Sequence, residues 1–452
     1  MSQQGVCDLF LRRPKIIHVR FYSMKQKASG VLPAVRKWYK VDNAANMYCF
    51  AQDKNFSRTY RNSVLLRDEI DIPVMQAALE KTMKRFPTMS TVLRSGAFWP
   101  YLEHTSEVPE VHEELCRPGR YIIHNGENTP CSRFSVYKNR LSIEMFHGLA
   151  DGAGSTAFVR TLITTYFELK GVKVSSYGDI KNTADEPTAD EVEDSNARYA
   201  EPVKKAEKPK EPPVYIGEND QIKDYTRFVF GRFPVEDVKA AGKKYGLTIT
   251  EYLCVAMILM FIKCSPEPVS LPIKISVPVD LRRRFPSDSV RNFVFMTDVT
   301  FNPQGRTDVT FEDIADSVRG TAAAGATPEK LRAAVSTNVA AERNPITSAV
   351  PYPVKKAVMK QSYLDMQYSY TTILSNLGEI KFPPEIAPLV LEADCCLNKT
   401  PFLHFGCAAV SLNGIFNLTF TSANTNTERE KFFFRLLSSH GIRVRVDSTE
   451  QA

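Results

Sequence analysis

The sequence predicts a mixed α/β protein built from two domains. Strand-like and helix-like stretches alternate in both halves of the 452 residues, and a chain of this length exceeds one ordinary core. The composition changes near the middle, where the segment 179–213 is rich in acidic residues, lysine and proline and poor in large apolar side chains. We therefore expect one lobe at 34–178, a solvated linker or surface loop at 179–213, and a second lobe at 214–452.

The first half opens with an aromatic and polar segment, Arg36–Tyr48, which we interpret as packing on the first core. Proline at the first turn suits a helix beginning at Ile72, and Ser155 suits the N-cap of a second helix. Apolar spacing and alternation predict the following elements in order: a strand at 57–66, a helix at 72–86, a strand pair at 91–94 and 98–102, a strand at 119–124, a hairpin at 133–137 and 141–146, and a helix at 155–169.

The second half repeats this mixture. Thr248 and Glu251 have the spacing of a capping box, and Asn413-Gly414 is a strong hairpin signal. The patterns predict strands at 226–233, 271–279, 291–296, 371–378, 402–409, 415–421 and 442–446, helices at 234–245, 248–262 and 428–439, and an interrupted helical stretch at 311–359.

Composition excludes several classes of function. The net charge of +7 comes without a dense cluster of basic and aromatic residues, so we expect no nucleic-acid partner. No apolar run reaches the ~20 residues that span a bilayer, so we expect no transmembrane segment. The nine cysteines include no CxxC pair, and no histidine-rich metal motif occurs. We therefore expect buried reduced thiols, no metal site and a cytoplasmic protein.

The N-terminal stretch 1–33 is basic and poor in acidic residues. It lacks the long apolar core and the small-residue cleavage site of a secretory signal. A transit peptide is one reading of this composition. We favour a disordered basic extension, or a start upstream of Met24.

The stretch Phe146–Gly154 is the centre of the predicted chemistry. It follows the hairpin, so a strand end holds His147 rigidly while a loop leaves its tip accessible. A histidine there can be a structural hydrogen-bonding residue, or a neutral base that accepts a proton near pH 7. Asp151 could orient the imidazole as in hydrolase triads, or pair with an arginine of the segment 282–284. We favour the structural pair.

No motif for a covalent nucleophile accompanies this histidine. Ser155 follows Gly154, but the glycine that would close a Gly-x-Ser-x-Gly motif is missing, and there is no phosphate-binding or dinucleotide-binding glycine pattern. The remaining interpretation is base-assisted attack on an activated acyl donor. A thioester needs only positioning and stabilisation of the oxyanion.

The segment 147–152, His-Gly-Leu-Ala-Asp-Gly, resembles the HxxxDG motif of the CoA-dependent acyltransferase superfamily, which includes chloramphenicol acetyltransferase, plant BAHD acyltransferases and peptide-synthetase condensation domains. The segment 277–282, followed by 291–293, is similar to the Val-Asn-Leu-Arg…Gly-Asn block of that superfamily. The segments 375–378 and 36–45 resemble its alcohol acetyltransferase-like branch. The Asp-Phe-Gly-Trp-Gly block of the plant enzymes is absent.

The resemblance implies two lobes of chloramphenicol acetyltransferase type with an active-site tunnel between them. His147 would be the general base, while Asp151, Gly152 and Arg282 would hold the shape of the site, with Asp151 paired to Arg282. An acyl group, foremost acetyl, would pass from a CoA thioester to an alcohol or amine without a covalent enzyme intermediate.

Ser375 and Asn376 would lie near the acyl group on the same resemblance. Acyl-CoA would be a cosubstrate, with no tightly bound cofactor, and the protein would be a monomer acting on a small-molecule acceptor. A single histidine precedes Gly148 where condensation domains usually carry two, and no carrier-protein domain accompanies the motif in this sequence. Free CoA is therefore the favoured donor. A condensation-type enzyme acting on carrier-bound acyl groups, or a non-catalytic member of the fold, is the alternative.

Overall fold

The computed structural model describes residues 35–52, 58–115, 122, 128–203, 214–215, 226–398, 405–423 and 425–449. The strands within these ranges are β1 (Trp38–Lys40), β2 (Thr59–Leu66), β3 (Thr91–Ser95), β4 (Pro100–His104), β5 (Val111–Glu113), β6 (Ser132–Tyr137), β7 (Arg140–Phe146), β8 (Arg227–Pro234), β9 (Ile273–Asp280), β10 (Val294–Phe301), β11 (Thr372–Ile380), β12 (Val390–Leu397), β13 (Phe405–Leu412), β14 (Ile415–Ser422) and β15 (Arg445–Ser448).

The helices are α1 (Ala45–Ala51), α2 (Ile72–Arg85), α3 (Gly152–Leu169), α4 (Ser195–Tyr199), α5 (Val235–Lys244), α6 (Ile249–Lys263), α7 (Phe311–Val318), α8 (Thr321–Gly325), α9 (Pro328–Arg343), α10 (Pro345–Ala349), α11 (Tyr352–Gln367) and α12 (Glu428–Ser439). No single described helix is long and apolar enough to cross a membrane. One pair, α5 with α6, meets the length and composition criteria together, with a bend of 75° between the two helices.

The strands form three sheets in the described part of the chain. Five strands make a first sheet in the order β12-β2-β7-β6-β5, and seven make a second in the order β10-β9-β11-β13-β14-β8-β15. A small third sheet has the order β1-β4-β3. β5 pairs in parallel with β6, and β11 pairs in parallel with β9 and β13, while the other pairs are antiparallel. The two larger sheets are therefore mixed, in agreement with the predicted α/β class, and the small third sheet is antiparallel.

Each lobe has its own hydrophobic core. In the first lobe α2 and α3 pack together over the five-stranded sheet, and Phe158 and Leu162 of α3 are fully buried beside Phe134 of β6. In the second lobe α6 lies at the centre, and every residue from Glu251 to Ile262 is buried. A helix that is apolar on all sides is stable only when neighbours cover all its faces, and this explains its position.

The predicted boundary at residue 214 does not separate the two lobes cleanly. β12 comes from the second half of the sequence but pairs antiparallel with β2 in the first sheet, with Cys395 opposite Asn62. α11 likewise packs on α1 of the first half. The reason is that β2 would otherwise be an edge strand with unpaired backbone groups, and β12 satisfies them.

The described part of the predicted linker or surface loop, 179–203, includes residues that pack into the protein beside exposed ones. Glu191 is buried, and Arg85 donates two hydrogen bonds of 2.6 and 2.8 Å to its carboxylate. Burial opposes ionisation of this group, but the hydrogen bonds from Arg85 and Lys181 lower the pKa of Glu191 to about 2. Asp194 caps α4 and accepts a hydrogen bond from the backbone of Asn43. Glu191 and Asp194 therefore pack against the lobes through specific partners, whereas Asp185, Glu186 and Asp190 are exposed, as a surface loop predicts.

Most predicted elements are confirmed, with shifted ends. The capping box at Thr248 is present, and Asn413 and Gly414 both have positive φ, as a tight hairpin turn requires. The stretch 311–359 is five helices, with a left-handed Gly320 after the first of them. The sequence patterns do not predict α1, α4, β1, β5 or β12. The predictions for 1–33, for the strand at 119–124 except Ile122, and for 402–404 lie outside the described residues.

Candidate active site

His147 lies directly after β7, between a strand and a helix. Its backbone N–H donates a hydrogen bond of 2.9 Å to the carbonyl oxygen of Arg58, which extends the pairing of β7 with β2 by one residue. The next turn is closed by a hydrogen bond from Leu149 N–H to the carbonyl of Phe146. Gly148 packs so closely on the ring of Phe146 that a Cβ there would overlap it. The backbone around His147 is therefore fixed on both sides.

Two tyrosines enclose the half-buried imidazole of His147. The ring of Tyr48 on α1 stacks on it, with 4.0 Å between centroids and 15° between planes. The ring of Tyr60 on β2 meets it edge-on at 5.1 Å, and the Tyr60 hydroxyl donates to the carbonyl of Ala150 at 3.1 Å. Burial lowers the pKa of His147 below its ordinary value. The imidazole is therefore neutral at pH 7.

Asn292 determines which imidazole nitrogen carries the proton. Its Nδ2 donates to the carbonyl oxygen of His147 at 3.0 Å and to Oδ2 of Asp42 at 3.3 Å. Both hydrogens of the amide are thus used, and its Oδ1 accepts from His147 Nδ1 at 3.2 Å. The proton is therefore on Nδ1, and Nε2 presents a lone pair, as a general base requires.

Asp42 anchors this arrangement from the other side of Asn292. Its carboxylate is fully buried, accepts a hydrogen bond of 2.7 Å from Ala45 N–H and lies 3.6 Å from Arg291. Burial raises the pKa of Asp42 to about 7, against the opposing charge of Arg291. Asp42, Asn292 and His147 therefore form a continuous hydrogen-bonded chain that joins the two lobes. The sequence reading did not assign a role in the site to Asp42, Asn292, Tyr48 or Tyr60.

Asp151 forms the predicted pair with Arg282, at 2.9 Å between Oδ2 and Nη1. The same oxygen accepts from the backbone N–H of Phe293 at 2.7 Å, and Oδ1 accepts from Gly154 N–H at 2.9 Å. Asp151 is therefore the N-cap of α3. The prediction that Ser155 caps this helix is wrong, because the two glycines form the first helical turn and not a loop.

Arg282 binds more than Asp151. Its Nε donates to the carbonyl of Ser289 at 2.8 Å, and its Nη2 donates to the carbonyl of Arg291 at 2.5 Å. Nη1 also lies 3.0 Å from Asp280. These bonds hold the loop that ends at Asn292, so one guanidinium positions both the cap of α3 and the residue that orients His147.

Gly152 and Gly154 bring the start of α3 against the second lobe. A Cβ on Gly152 would overlap the side chain of Leu377 in β11, and a Cβ on Gly154 would overlap the backbone carbonyl of Val290. Gly152 therefore allows close approach between the lobes.

We expect Gly152→Ala to cost about 1–3 kcal/mol of unfolding free energy, and Gly154→Ala to cost more, because a side chain can rotate away and a backbone carbonyl cannot. Denaturant unfolding of both variants, each also combined with Leu377→Ala, measures this. The Leu377→Ala background should rescue Gly152→Ala and leave Gly154→Ala unchanged. Equal rescue of both variants would contradict these contacts.

Ser375 and Asn376 lie on β11, two and one residues before Leu377. The Asn376 amide is occupied within the second lobe: Nδ2 donates to Thr250 Oγ1 at 3.1 Å, and Oδ1 accepts from Gly378 N–H at 3.0 Å. Asn376 therefore shapes the irregular end of β11, where the pairing with β13 shifts. Ser375 is half-buried, and its hydroxyl makes no hydrogen bond with any described residue.

No metal centre or redox pair emerges from the described ranges. They contain no group of three His, Cys, Asp or Glu side chains that could hold a metal ion. The described cysteines are free thiols, and all but the half-buried Cys264 are buried. Burial raises the pKa of Cys131 and of Cys395 to about 12, which disfavours a thiolate at either position.

Comparisons with known proteins found structural likeness without close sequence relatives. No family model matches the sequence, and no curated protein matches it. A structure of TRI101 from Fusarium graminearum in complex with ethyl coenzyme A aligns with a TM-score of 0.61 and 10% identity, over 90% of this chain and 99% of that one. TRI3 trichothecene 15-O-acetyltransferase from Fusarium sporotrichioides aligns with a TM-score of 0.58 and 11% identity, over 91% and 99% of the two chains.

The likeness extends to the peptide synthetases. The nonribosomal peptide synthetase FmoA3 aligns with a TM-score of 0.54 and 14% identity, over 92% of this chain and 45% of that one. Other TRI101 structures hold coenzyme A together with T-2 or deoxynivalenol. These likenesses confirm the fold that the HxxxDG resemblance predicts.

Proposed function

We propose that this chain, which has the two-lobe fold of the CoA-dependent acyltransferases, moves an acyl group from a CoA thioester to the hydroxyl group of a small molecule. The observation that carries the proposal is the state of His147, whose Nδ1 is held by Asn292 so that Nε2 is the basic nitrogen. The presence of coenzyme A and small acceptors in TRI101 structures supports the same reaction.

The reaction needs one base and one donor for the developing negative charge. His147 Nε2 removes the proton from the acceptor hydroxyl while its oxygen attacks the thioester carbon. The tetrahedral intermediate then collapses, the carbon–sulfur bond breaks, and the leaving thiolate takes the proton from His147. The products are an ester and the CoA thiol, and no bond to the enzyme forms at any step.

We assign the acyl-group contact to Ser375 ahead of Asn376. The Asn376 amide already bonds to Thr250 and Gly378, whereas the Ser375 hydroxyl has no described partner. A hydroxyl at the thioester carbonyl would stabilise the oxyanion, and such donors are worth several kcal/mol in other acyl transfers.

The rate of transfer should depend on pH through His147. Burial lowers its pKa below the ordinary 6.5, although its own carbonyl, Asp151 and Asn292 oppose this. The base acts only when it is neutral, so a lowered pKa moves the loss of activity to lower pH. We expect kcat/KM to stay constant as the pH falls through 6.5 and to decline only below it. A midpoint of activity loss at or above 6.5 would contradict the buried, neutral imidazole.

A condensation-type activity on carrier-bound acyl groups is the second candidate, and the likeness to FmoA3 favours it. Offering acetyl-CoA and an acetylated phosphopantetheinyl carrier protein to the full-length protein, with the same alcohols, separates the two. Release of thiol and formation of ester from acetyl-CoA supports the proposal. Ester formation from the carrier alone favours the second candidate, and no ester from either donor indicates a non-catalytic member of the fold.

A further inference from the structure

The phenol hydroxyl of Tyr48 has no role in the acyl-transfer steps proposed above. Its ring lies flat on His147, with 4.0 Å between centroids. The side chain is half-buried, and its hydroxyl makes no hydrogen bond with a residue in the described ranges. Burial, and then the phenols of Tyr363 and Tyr370, raise the pKa of Tyr48 well above its ordinary value, so the hydroxyl keeps its proton and can donate.

The surroundings of Tyr48 come from both lobes. Tyr363 belongs to α11 of the second half, and α11 packs on α1, which carries Tyr48. The guanidinium of Arg58 lies 4.5 Å from the centre of the Tyr363 ring and donates to the last carbonyl of α1, that of Ala51. The wall beside His147 is therefore aromatic and carries phenol hydroxyls.

The carboxylates nearest to His147 in its hydrogen-bond network are already neutralised. Asp151 is paired with Arg282 at 2.9 Å, and Asp42 lies 3.6 Å from Arg291. An amine acceptor would arrive as an ammonium ion, and these described carboxylates offer it no unpaired charge. An uncharged alcohol needs no such partner.

We infer that Tyr48 selects the acceptor, and that the acceptor is an uncharged alcohol with a second oxygen close to the hydroxyl that is acylated. The inference rests on the proposed acyl transfer and specifies its substrate class. Because the two rings lie 4.0 Å apart, one oxygen of such an acceptor meets His147 Nε2 in this inference while the other accepts a hydrogen bond from Tyr48. Tyr48 is a specificity residue in this account, and His147 remains the base.

Binding measurements test this without any turnover. Ligand-observed NMR titration in the presence of saturating CoA, which carries no acyl group, gives the Kd of phenol, catechol and resorcinol for the full-length protein and for Tyr48→Phe. Loss of one hydrogen bond should weaken catechol or resorcinol by about 3- to 10-fold and leave phenol within about twofold. Tyr137→Phe, at an exposed tyrosine of β6, is the matched control and should change none of the three.

The same titration with benzyl alcohol and benzylamine tests the charge argument. We expect benzylamine to bind about tenfold more weakly, or worse, near neutral pH. Equal effects of Tyr48→Phe on all three phenols, no effect on any of them, or tighter binding of benzylamine than of benzyl alcohol would overturn the inference. Because CoA cannot donate an acyl group, these outcomes are independent of the transfer assay, whose failure would count against the proposed function alone.

Discussion

His147→Ala should lower kcat/KM for acyl transfer by about a hundred- to ten-thousandfold, the range typical for loss of a general base. In the alanine variant no other described group of the site is placed to take the hydroxyl proton, because Asp151 is bound to Arg282, Asp42 is buried against Asn292, and the Tyr48 phenol keeps its proton. Initial rates of thiol release at several acceptor concentrations measure this, and we expect the KM for acetyl-CoA to change little.

The control for this variant is His112→Ala. The side chain of His112 is exposed and lies on β5, away from the site, so its replacement should leave the rate unchanged. Circular dichroism and thermal unfolding should show that His147→Ala remains folded, although Tyr48 and Tyr60 lose a ring contact. Acyl transfer at the wild-type rate in a folded His147→Ala protein would refute His147 as the base.

Asp151→Asn should reduce both stability and activity, with a loss of about 3–5 kcal/mol in unfolding free energy. The carboxylate accepts from Arg282, Phe293 and Gly154, so it faces donors on both oxygens. An asparagine in either orientation turns its NH2 group toward one of these donors and leaves the Arg282 charge without its partner. Because Arg282 also holds the loop that ends at Asn292, His147 should lose its orientation.

Asp308→Asn is the matched control for that loss. Asp308 pairs with Arg306 at 3.3 Å, but both side chains are largely exposed, and exposed pairs contribute about 1 kcal/mol or less. Denaturant unfolding of the two variants side by side, with transfer rates at saturating substrate, measures the difference. If Asp151→Asn were as stable and as active as Asp308→Asn, the structural role of the Asp151–Arg282 pair would be wrong.

The fold was predictable where local patterns are strong. The capping box at Thr248, the proline at the first turn of α2 and the Asn413-Gly414 turn each specify a local structure by themselves, and each is present. β12 was not predictable in this way, because Glu392 and Asp394 interrupt its apolar pattern and its partner β2 lies more than 300 residues earlier. Long-range strand pairing leaves no local signal in such a segment.

The site shows the same division between local and long-range information. His147 and Asp151 belong to a short motif, and the resemblance implies the pair of Asp151 with Arg282 that the structure has. Asn292 reaches His147 from the other lobe, Asp42 bonds to that asparagine, and Tyr48 comes from a helix about 100 residues earlier, so no local pattern connects them to His147. The similarity of the segment 291–293 to a block of the acyltransferase superfamily is the sequence feature that points to Asn292.

The same principle explains the buried acidic residue in the segment 179–203. A run of acidic residues normally faces solvent, and Glu191 is an exception because Arg85 of α2 and Lys181 both reach it. Arg85 lies more than 100 residues earlier, so composition alone could not supply the partner.

Acceptor-dependent release of the CoA thiol tests the central claim most directly. The full-length protein is incubated with acetyl-CoA and a panel of alcohols that includes the phenols used for binding, and thiol and ester are quantified together. We expect thiol and ester to appear in equal amounts, both to require an alcohol, and intact-mass analysis to find no acetylated enzyme. A covalent acetyl-enzyme formed in the absence of acceptor, or thiol release without ester for every alcohol, would contradict this claim.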